Sequence, residues 1–385
     1  MAGVWVIAGE SSGDGYGAAV IHELKQICPS LPICAMGGEK MRATGANIVV
    51  DSTELGIVGL GEVIPKLLFF LRLLKELSAK IIASKPSAVL LIDYPGFNLR
   101  LAQRLHKAGI RVVWYISPQV WAWKKGRIPK LAACVDKMLC IFPFEPQVYE
   151  GSGLPVRFVG HPLLEILSPL RRDERPREKN LVVLLPGSRV KELKALLGLF
   201  FACAEELKRR HPELRFQMPL QRETSLRQVQ EHLRNHPISN ELSSCLEITV
   251  GDAREAMRKG TIGLAASGTV TVEAALLGLP LVVTYRVSWF TWLLGRMLVK
   301  LPYLSIINLV MNAPVFEEKL QDKATPEEIV PALEKLLPQG ERAAEMPRLL
   351  AEFSQKLGGE TPVSRKVAEE LIATDGADSV AQAQA

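Results

Sequence analysis

The length and composition are those of a globular protein with about two to three domains. The chain has 385 residues, of which 48% are hydrophobic and 23% charged, with a formal net charge of +6. This balance excludes a disordered chain. The basic residues are spread along the sequence, so nucleic acid is not indicated as a partner. Six cysteines show no CxxC pair and no metal-ligand spacing, which predicts reduced thiols, no metal site and a cytosolic protein.

Apolar runs alternate with helical patterns through the first half of the chain. Val4–Ala8 is wholly apolar, as expected for a strand buried on both faces of a parallel sheet, and its position at the start argues against a secretion signal. We predict further strands at Ile33–Met36, Ile48–Val50, Ala88–Ile92, Val112–Ile116, Met138–Ile141 and Val156–Val159. Helical patterns at Leu99–Ala108 and Lys124–Ala133 lie between them, which predicts a doubly wound parallel sheet.

The second half repeats this alternation. Strands are predicted at Leu181–Leu185, Arg215–Met218, Leu246–Thr249, Thr261–Leu264 and Leu281–Thr284, with helices at Val190–His211 and Glu223–Asn235. We therefore predict an α/β fold with a Rossmann-like domain over residues 1–168, a charged linker over 169–180 and a second Rossmann-like domain over 181–340. Helices over 341–373 and a disordered tail over 374–385 follow. The carboxyl ends of both sheets are expected to face a cleft.

Small residues follow the predicted strand that ends at Leu264. Ser267, Gly268 and Thr269 lead directly into a helical pattern that contains Glu273. Such a turn directs unpaired helix N–H groups outward, which favours a phosphate, and Glu273 is placed to accept hydrogen bonds from a ribose diol. The stretch is interpreted either as a site for a nucleoside diphosphate or as an ordinary turn with a Ser/Thr cap.

A second anion site is predicted where the strand Leu181–Leu185 ends. Ser188 and Arg189 begin the next helix, and an arginine beside helix N–H groups can bind a phosphate bidentately. The alternative for Arg189 is a solvated cation. Tyr285 and Arg286, after the last predicted strand, are candidates for backbone contacts with a nucleotide base.

Candidate catalytic and sugar-binding residues follow strands of the first half. Asp93 ends a wholly apolar strand and is a candidate general base, although an Asx turn or N-cap before Pro95 is the alternative. Gln119 and Trp121 suggest a platform for an amphipathic ligand such as a sugar, or else core packing. His161 is a lone histidine, more often structural than catalytic.

The segment Val63–Leu77 is apolar around nearly its whole circumference and carries scattered cations. It contains Leu67, Phe70 and Leu71. It is too short to cross a bilayer, so it is predicted either to dock on a membrane surface or to be a buried or subunit-contact helix. A second apolar segment, Trp289–Val310, is also too interrupted to span a membrane.

Taken together, these motifs resemble the lipid-A-disaccharide synthase family. The resemblance is carried by Gly9–Asp14, Asp93–Asn98, Ser117–Trp123, Phe142–Glu145, Gly160–His161, Leu184–Arg189, Ala266–Thr269 with Glu273, Tyr285–Arg286 and Asn308. It implies a B-type (GT-B) glycosyltransferase that joins UDP-2,3-diacylglucosamine to 2,3-diacylglucosamine 1-phosphate (lipid X). The products would be a β-1,6-linked disaccharide 1-phosphate and UDP, formed with inversion and without a metal or other cofactor.

The resemblance also implies roles for individual residues and a location. Asp93 is the expected base, with Glu10 and His161 as less favoured candidates, and Arg189 would stabilise the departing diphosphate. UDP is expected at Ser188, Arg189, Ser267, Gly268, Thr269, Glu273, Tyr285, Arg286 and Asn308, and the acceptor at Ser12, Gln119, Trp121, Leu67, Phe70 and Leu71. The enzyme would act as a peripheral protein on the cytoplasmic face of the inner membrane and could form a homodimer.

The sequence departs from the family at one position and leaves two rival functions open. Gly96 stands where the family commonly has a second acid, which weakens any assignment that depends on that acid. One rival is a UDP-sugar transferase or epimerase with a non-acylated substrate. The other is a protein that binds lipid-linked sugars without turnover.

Overall fold

The computed structural model describes residues 2–52, 63–122, 125–286, 301–359 and 362–373, and it describes no side chains for residues 63–67. Trp123, the predicted tail 374–385 and most of the second apolar segment therefore lie outside the described residues. The chain forms two compact units, Met1–Pro162 with Glu360–Ala385, and Leu163–Gly359. They are called the first and the second unit below.

The first unit is built on a parallel sheet whose seven strands run in the order β3-β2-β1-β4-β5-β6-β7. The strands are β1 (Val4–Ala8), β2 (Ile33–Gly37), β3 (Asn47–Asp51), β4 (Ala88–Ile92), β5 (Val112–Tyr115), β6 (Lys137–Cys140) and β7 (Val156–Phe158). All the strands predicted for this half are present. The central strands β1 and β4 are buried at every residue, as their unbroken apolar sequences require.

Helices cover this sheet. They are α1 (Ser11–Ile27), α2 (Glu39–Ala43), α3 (Val63–Ser84), α4 (Pro95–Lys107), α5 (Ile128–Ala132) and α6 (Glu145–Val148). The helix predicted from Leu99 begins at Pro95, because proline is well suited to the first helical position. The helix predicted over Lys124–Ala133 is wrong in extent: a 3₁₀ turn occupies Lys125–Arg127, and the α-helix covers only the five residues of α5.

The second unit contains a parallel sheet of six strands in the order β10-β9-β8-β11-β12-β13. These are β8 (Leu181–Leu185), β9 (Arg215–Leu220), β10 (Leu246–Val250), β11 (Ile262–Ala266), β12 (Leu281–Tyr285) and β13 (Glu317–Leu320). β13 was not predicted because its sequence, EEKL, has no apolar run. It pairs with β12 and ends the order of the sheet, so it does not have two strand neighbours to cover it.

Eleven helices belong to the rest of the described chain. They are α7 (Leu163–Ile166), α8 (Ser168–Arg171), α9 (Val190–Arg210), α10 (Glu223–Asn235), α11 (Asn240–Ser243), α12 (Ala253–Lys259), α13 (Val270–Leu276), α14 (Ile306–Met311), α15 (Pro326–Glu334), α16 (Met346–Lys356) and α17 (Val363–Ile372). The charged stretch before β8 lies within the second unit and is bonded to the end of α12. Arg177 Nη1 donates to the carbonyl oxygens of Met257 and Gly260 at 3.1 and 2.7 Å, and Asp173 pairs with Arg258 at 3.2 Å.

The helix α17 packs against α1 in the first unit although it comes last among the described elements. Its Glu370 is buried, and the carboxylate lies 2.5 Å from the Lys137 ammonium and also pairs with Arg157. Arg111 donates to the carbonyl oxygens of Glu370 and Leu371 at 3.1 and 2.8 Å, which satisfies acceptors at the C-terminus of the helix.

Strand order places one switch point in each sheet. In the first unit the chain moves outward from β1 through β2 to β3, then returns to the other side of β1 with β4. In the second unit the same reversal separates β8 from β11. Ligands of open α/β sheets bind outside the carboxyl ends of the strands at such points, because the two following loops diverge there and leave a crevice.

Candidate active site

A small hollow lies at the switch point of the first unit. It is lined by residues that follow β1 and β4, namely Glu10, Ser12, Gly13, Tyr16, Ile92, Asp93 and Tyr94. Three residues that the sequence assigned to catalysis or to the acceptor, Asp93, Glu10 and Ser12, are therefore brought together. The register explains this, because Ala8 at the end of β1 lies beside Ile92 at the end of β4.

Asp93 is a half-buried carboxylate next to a second acid. Burial, and then the charge of Glu10, raises the pKa of the Asp93 carboxyl above its ordinary value of 3.8, while a hydrogen bond from the Tyr94 backbone opposes the shift. The Tyr94 ring packs directly over Gly9, where a Cβ atom would lie 2.5 Å from the ring. A carboxylate with a raised pKa is a stronger base than an ordinary aspartate, which suits proton abstraction from a hydroxyl.

Asp14, the last residue of the Gly9–Asp14 motif, has a structural position. Its buried carboxylate accepts hydrogen bonds from the backbone N–H groups of Gly38, Lys40 and Met41 at 2.7, 3.0 and 3.2 Å. These groups are at the start of α2, so Asp14 satisfies donors that the helix itself leaves unpaired. The motif thus contributes both to the hollow, through Glu10 and Ser12, and to the fold.

The loop after β5 carries the predicted sugar platform. Gln119 is exposed and Trp121 is half-buried, with its ring edge-on to Phe142 and Phe144 at centroid distances of 6.5 and 5.2 Å. The Trp121 indole N–H donates to Oε1 of Glu145 at 3.2 Å. An exposed amide beside a fixed aromatic ring is compatible with sugar binding, while the packing of the ring on two phenylalanines matches the alternative; both features are present.

Glu145 is a buried carboxyl that the sequence analysis did not single out as a site residue. Its Oε2 accepts from the backbone N–H groups of Ile141 and Phe142 at 3.1 and 3.0 Å. Burial raises the pKa of Glu145 to about 7, against the lowering effect of these hydrogen bonds and that of Trp121. Its position before Pro146, at the start of a helix, was a usable signal for a carboxylate that binds backbone donors.

His161 lies in aromatic packing rather than in the hollow. It is buried, its ring centroid is 5.3 Å from that of Phe142, and it is not among the residues that line the hollow. Burial lowers the pKa of His161 to about 3. A histidine with this pKa is neutral near pH 7 and is a weak base, which favours the structural interpretation.

The predicted nucleotide-binding turns lie on adjacent strands of the second unit. Leu185, which ends β8, is paired with Ala265 of β11, so the loops that contain Ser188 and Ser267 follow neighbouring strands at the switch point. Gly268 and Thr269 are exposed, and space is open around the Gly268 α-carbon. The Thr269 side chain makes no capping hydrogen bond, so a phosphate could approach it and the backbone of Gly268.

Part of the predicted phosphate site is occupied by the protein itself. Oε2 of Glu192 accepts from the backbone N–H groups of Ser188 and Arg189, both at 3.3 Å, and Oε1 accepts from Arg189 Nη1 at 3.0 Å. The Arg189 side chain is nevertheless 81% exposed. Its guanidinium can therefore meet an anion in solvent, whereas these two backbone donors already have an acceptor.

Glu273, the predicted ribose ligand, is paired with an arginine. Nε and Nη2 of Arg254 both donate to Glu273 Oε1, at 3.0 and 2.8 Å. The carboxylate is therefore held in one orientation by α12. A ribose diol that binds Glu273 would have to use Oε2 or share Oε1 with the guanidinium.

The remaining predicted nucleotide ligands differ in exposure. Arg286 is exposed and donates from Nη2 to the Ala324 carbonyl at 3.0 Å, and Tyr285 is half-buried. Asn308 is buried, and its amide bonds the backbone oxygen and nitrogen of Phe316 and the carboxylate of Glu318. A nucleotide contact through the Asn308 side chain would have to replace one of these bonds, so its geometry favours a structural role.

The apolar helix α3 has a buried face and an exposed face. Leu74, Leu77 and Ile81 pack into the core of the first unit. Leu68, Phe69, Leu71 and Ile82 are exposed large hydrophobic residues, with Leu68 63% exposed. Phe70 is half-buried, and its ring lies 6.5 Å from that of Phe97. The apolar residues predicted on all sides of this helix therefore divide between core packing and an exposed apolar surface. The Leu67 side chain lies outside the described residues.

Among the helices of the described ranges, none is both long and apolar enough to cross a bilayer.

Comparison with solved structures finds the same fold in other proteins. A UDP-GlcNAc 2-epimerase from Neisseria meningitidis bound to UDP-GlcNAc has a TM-score of 0.64 at 13% identity, covering 96% of this chain and 99% of the other. A putative UDP-N-acetylglucosamine 2-epimerase from Listeria monocytogenes has a TM-score of 0.67 at 13% identity, covering 97% and 98%. Two parallel α/β units with a switch point in each sheet define the class as the B-type glycosyltransferase fold.

Sequence comparison then identifies the family. The profile of the lipid-A-disaccharide synthetase family matches residues 4–372. A lipid-A-disaccharide synthase of Anaeromyxobacter dehalogenans (strain 2CP-1 / ATCC BAA-258) is 36% identical over 379 residues, covering 96% of both chains. One from Nitrosococcus oceani is 36% identical over 377 residues, covering 96% of this chain and 95% of the relative. The chain belongs to the lipid-A-disaccharide synthase family and is a glycosyltransferase.

The family match favours the lipid-A-disaccharide synthase function over the two alternative functions. Neither an epimerase with a non-acylated substrate nor a binding protein without turnover is favoured by relatives that share about a third of the sequence over nearly the whole chain. The epimerases among the solved structures share the fold alone, at 13% identity.

Proposed function

We propose that this chain transfers the diacylated sugar of UDP-2,3-diacylglucosamine to the 6-hydroxyl of 2,3-diacylglucosamine 1-phosphate. The products are a β-1,6-linked disaccharide 1-phosphate and UDP. Family membership supports the substrates, and the observation that carries the chemistry is the hollow in which Asp93 and Glu10 lie at the switch point of the first sheet.

Asp93 is the proposed general base. It takes the proton of the acceptor hydroxyl as that oxygen bonds to the anomeric carbon and the bond from this carbon to the diphosphate breaks. Attack from the side opposite the leaving group inverts the anomeric centre. The raised pKa of Asp93, caused by burial and by Glu10, supports this role because it strengthens the base.

The second unit is proposed to bind the UDP moiety on the loops after β8, β11 and β12. Backbone N–H groups near Gly268, the hydroxyl of Thr269 and the exposed guanidinium of Arg189 are suited to the diphosphate. Charge that develops on the leaving group is then stabilised by these donors, and we propose that the reaction needs no metal ion. Glu273, Tyr285 and Arg286 are proposed for the nucleoside. Asn308, whose amide bonds Phe316 and Glu318, is proposed to hold the strand beside β12.

The acyl chains and the membrane are proposed to meet the first unit at α3. Leu68, Phe69 and Leu71 form an exposed apolar surface beside Arg72. From Phe70, packed rings continue through the buried Phe97 to Tyr94 at centroid distances of 6.5 and 6.0 Å, which connects α3 to the hollow. We propose that the protein binds peripherally at the inner face of the inner membrane and forms a homodimer.

The test is an assay with UDP-diacylglucosamine and lipid X, with and without EDTA. Equal amounts of UDP and disaccharide, unaffected by EDTA, are expected; absence of product at any protein concentration refutes the proposal. Asp93→Asn is expected to lower kcat by about 10²- to 10⁴-fold. Because the pKa of Asp93 is raised, the acid limb of the wild-type kcat/KM profile is expected above pH 3.8, and the variant should lose that limb.

A further inference from the structure

Two consecutive residues of the proposed base loop have left-handed backbone. Asp93 has φ 46° and Tyr94 has φ 49°. The other positive-φ residues that are not glycine in the described ranges are isolated: Lys85, Ile116, Asn180, Asn312 and Gln321. A left-handed residue other than glycine costs about 1–2 kcal/mol, and a bulky side chain such as tyrosine is rare there. The turn after β4 therefore needs interactions that hold it.

Asn98 supplies such interactions. Its Nδ2 group donates to the carbonyl oxygen of Asp93 at 2.8 Å and to that of Ile92 at 3.3 Å, and its backbone N–H donates to the carbonyl oxygen of Tyr94 at 3.0 Å. One residue thus binds three successive carbonyl groups that span the left-handed pair. Asn98 is 0% exposed, so water does not compete for these bonds. Outside Asn98, the Asp93 N–H donates to Tyr115 of the neighbouring strand at 2.9 Å.

The hydrogen-bonding capacity of the Asn98 amide is only partly used. Its Oδ1 atom is buried and has no hydrogen-bond partner among the described residues. An unsatisfied buried acceptor costs about 1–3 kcal/mol. An apolar side chain of similar shape would avoid that cost, so the value of asparagine at this position lies in its two donors and in the loop conformation that they fix.

We propose that Asn98 is a positioning residue that holds Asp93 in the left-handed conformation from which its carboxylate lines the hollow. This inference rests on the proposed role of Asp93 as base. Without the Nδ2 donors the turn is free to relax toward extended φ, which changes the direction of the Asp93 Cα–Cβ bond. A displacement of about 1 Å of a catalytic group can lower the rate by about 100-fold. Repulsion from Glu10 adds to the tendency of Asp93 to move away.

The test compares Asn98→Leu, which keeps the shape and removes the donors, with Asn98→Ser, which keeps one small donor. For Asn98→Leu we expect kcat to fall by about 10- to 100-fold, with the Kd for UDP within about twofold of wild type. The kcat of Asn98→Ser should lie between those of Asn98→Leu and the wild type. A folded Asn98→Leu protein with a kcat within about threefold of wild type would overturn the proposal.

A double-mutant cycle separates positioning from a general structural role. In the Asp93→Asn background the leucine substitution should cause no further loss, because the group on which it acts is already removed. If the fold-decreases in kcat of the two single variants multiply in the double variant, Asn98 acts independently of Asp93 and the proposal is refuted. If Asp93→Asn alone retains wild-type activity, the assignment of the base fails, which is a different outcome from failure at Asn98.

A structural readout covers variants whose activity is too low to measure. A crystal structure of Asn98→Leu should show Asp93 outside the left-handed region. Retention of positive φ at both Asp93 and Tyr94 contradicts the proposal whatever the kinetics. If the leucine variant does not fold, the same measurement on Asn98→Ser applies, with the cycle carried out on that substitution.

Discussion

The buried ion pair of α17 allows a quantitative prediction about stability. Glu370 is 3% exposed, and the Lys137 side chain that lies 2.5 Å from it is 11% exposed. Glu370→Gln removes the counter-charge and leaves the Lys137 ammonium buried. Loss of one partner of a buried pair costs about 3–5 kcal/mol, because the buried charge that remains has lost the carboxylate beside it. Arg157, whose side chain is 56% exposed, can return to water and adds little.

Thermal and urea unfolding, followed by tryptophan fluorescence, measure this effect. For a unit of this size about 1 kcal/mol corresponds to roughly 2–4 °C in Tm, so a decrease of roughly 6–20 °C is expected. The matched control is the neighbouring Glu369→Gln, which breaks an exposed pair with Arg365 in the same helix and should change stability by less than about 0.5 kcal/mol.

A second comparison tests the physical cause. Lys137→Met combined with Glu370→Leu replaces both charges by apolar groups, so the double variant should be more stable than Glu370→Gln. The reasoning is refuted if Glu370→Gln unfolds within about 1 kcal/mol of wild type, like its control. It is also refuted if the double variant is as unstable as the single one, because loss of the carboxylate beside a buried ammonium would then not be the cause.

Three further predictions concern the two switch points and pH. Gly9→Ala should destabilise the first unit by about 1–3 kcal/mol in urea unfolding, because the new Cβ would lie 2.5 Å from the Tyr94 ring. The control Gly96→Ala, which has open space around it, should be neutral or stabilising. Equal effects of the two substitutions contradict the packing argument. Arg189→Ala should lower kcat by roughly tenfold or more, and unchanged kinetics would remove this residue from the donor site. The pKa of His161 is about 3 in the folded protein, against an ordinary value of 6.5. Between pH 6.5 and pH 3 the histidine is therefore protonated in the unfolded chain but not in the folded one, so the free energy of unfolding decreases as the pH falls below 6.5. His161→Asn should therefore lose stability less steeply than wild type from pH 6.5 to pH 4, in urea titrations at each pH; equal slopes mean that His161 does not titrate as described.

The strands that position the site could be predicted because their sequences carry the signal themselves. β1, β4 and β8 are unbroken apolar runs of five residues, as burial on both faces demands. The edge strand β13 has a charged sequence and carries no such signal. Asp93 could be predicted because it directly follows β4, and strand ends are where ligands of this fold class bind.

The supporting contacts of the site could not be read from the sequence. Glu273 is paired with Arg254, which is 19 residues away on another helix, and Trp121 is bonded to Glu145, 24 residues further along the chain. Such partners are chosen by the fold, because helices or loops after different strands meet only when the sheet is assembled. Asn98 belongs to the Asp93–Asn98 motif, but its proposed role depends on the positive φ values of Asp93 and Tyr94. Neither residue type predicts a positive φ at its position.

The position of α17 has a consequence for biosynthesis. Because Val363–Ile372 packs on α1 and supplies the partner of Lys137, a ribosome has made nearly all of the described chain before the first unit can close. Until the second unit has been synthesised, the first unit therefore lacks both the helix that packs on α1 and the carboxylate that pairs with Lys137. Nascent chains halted before residue 363 should consequently be more sensitive to protease within their first half than the same half in the released protein.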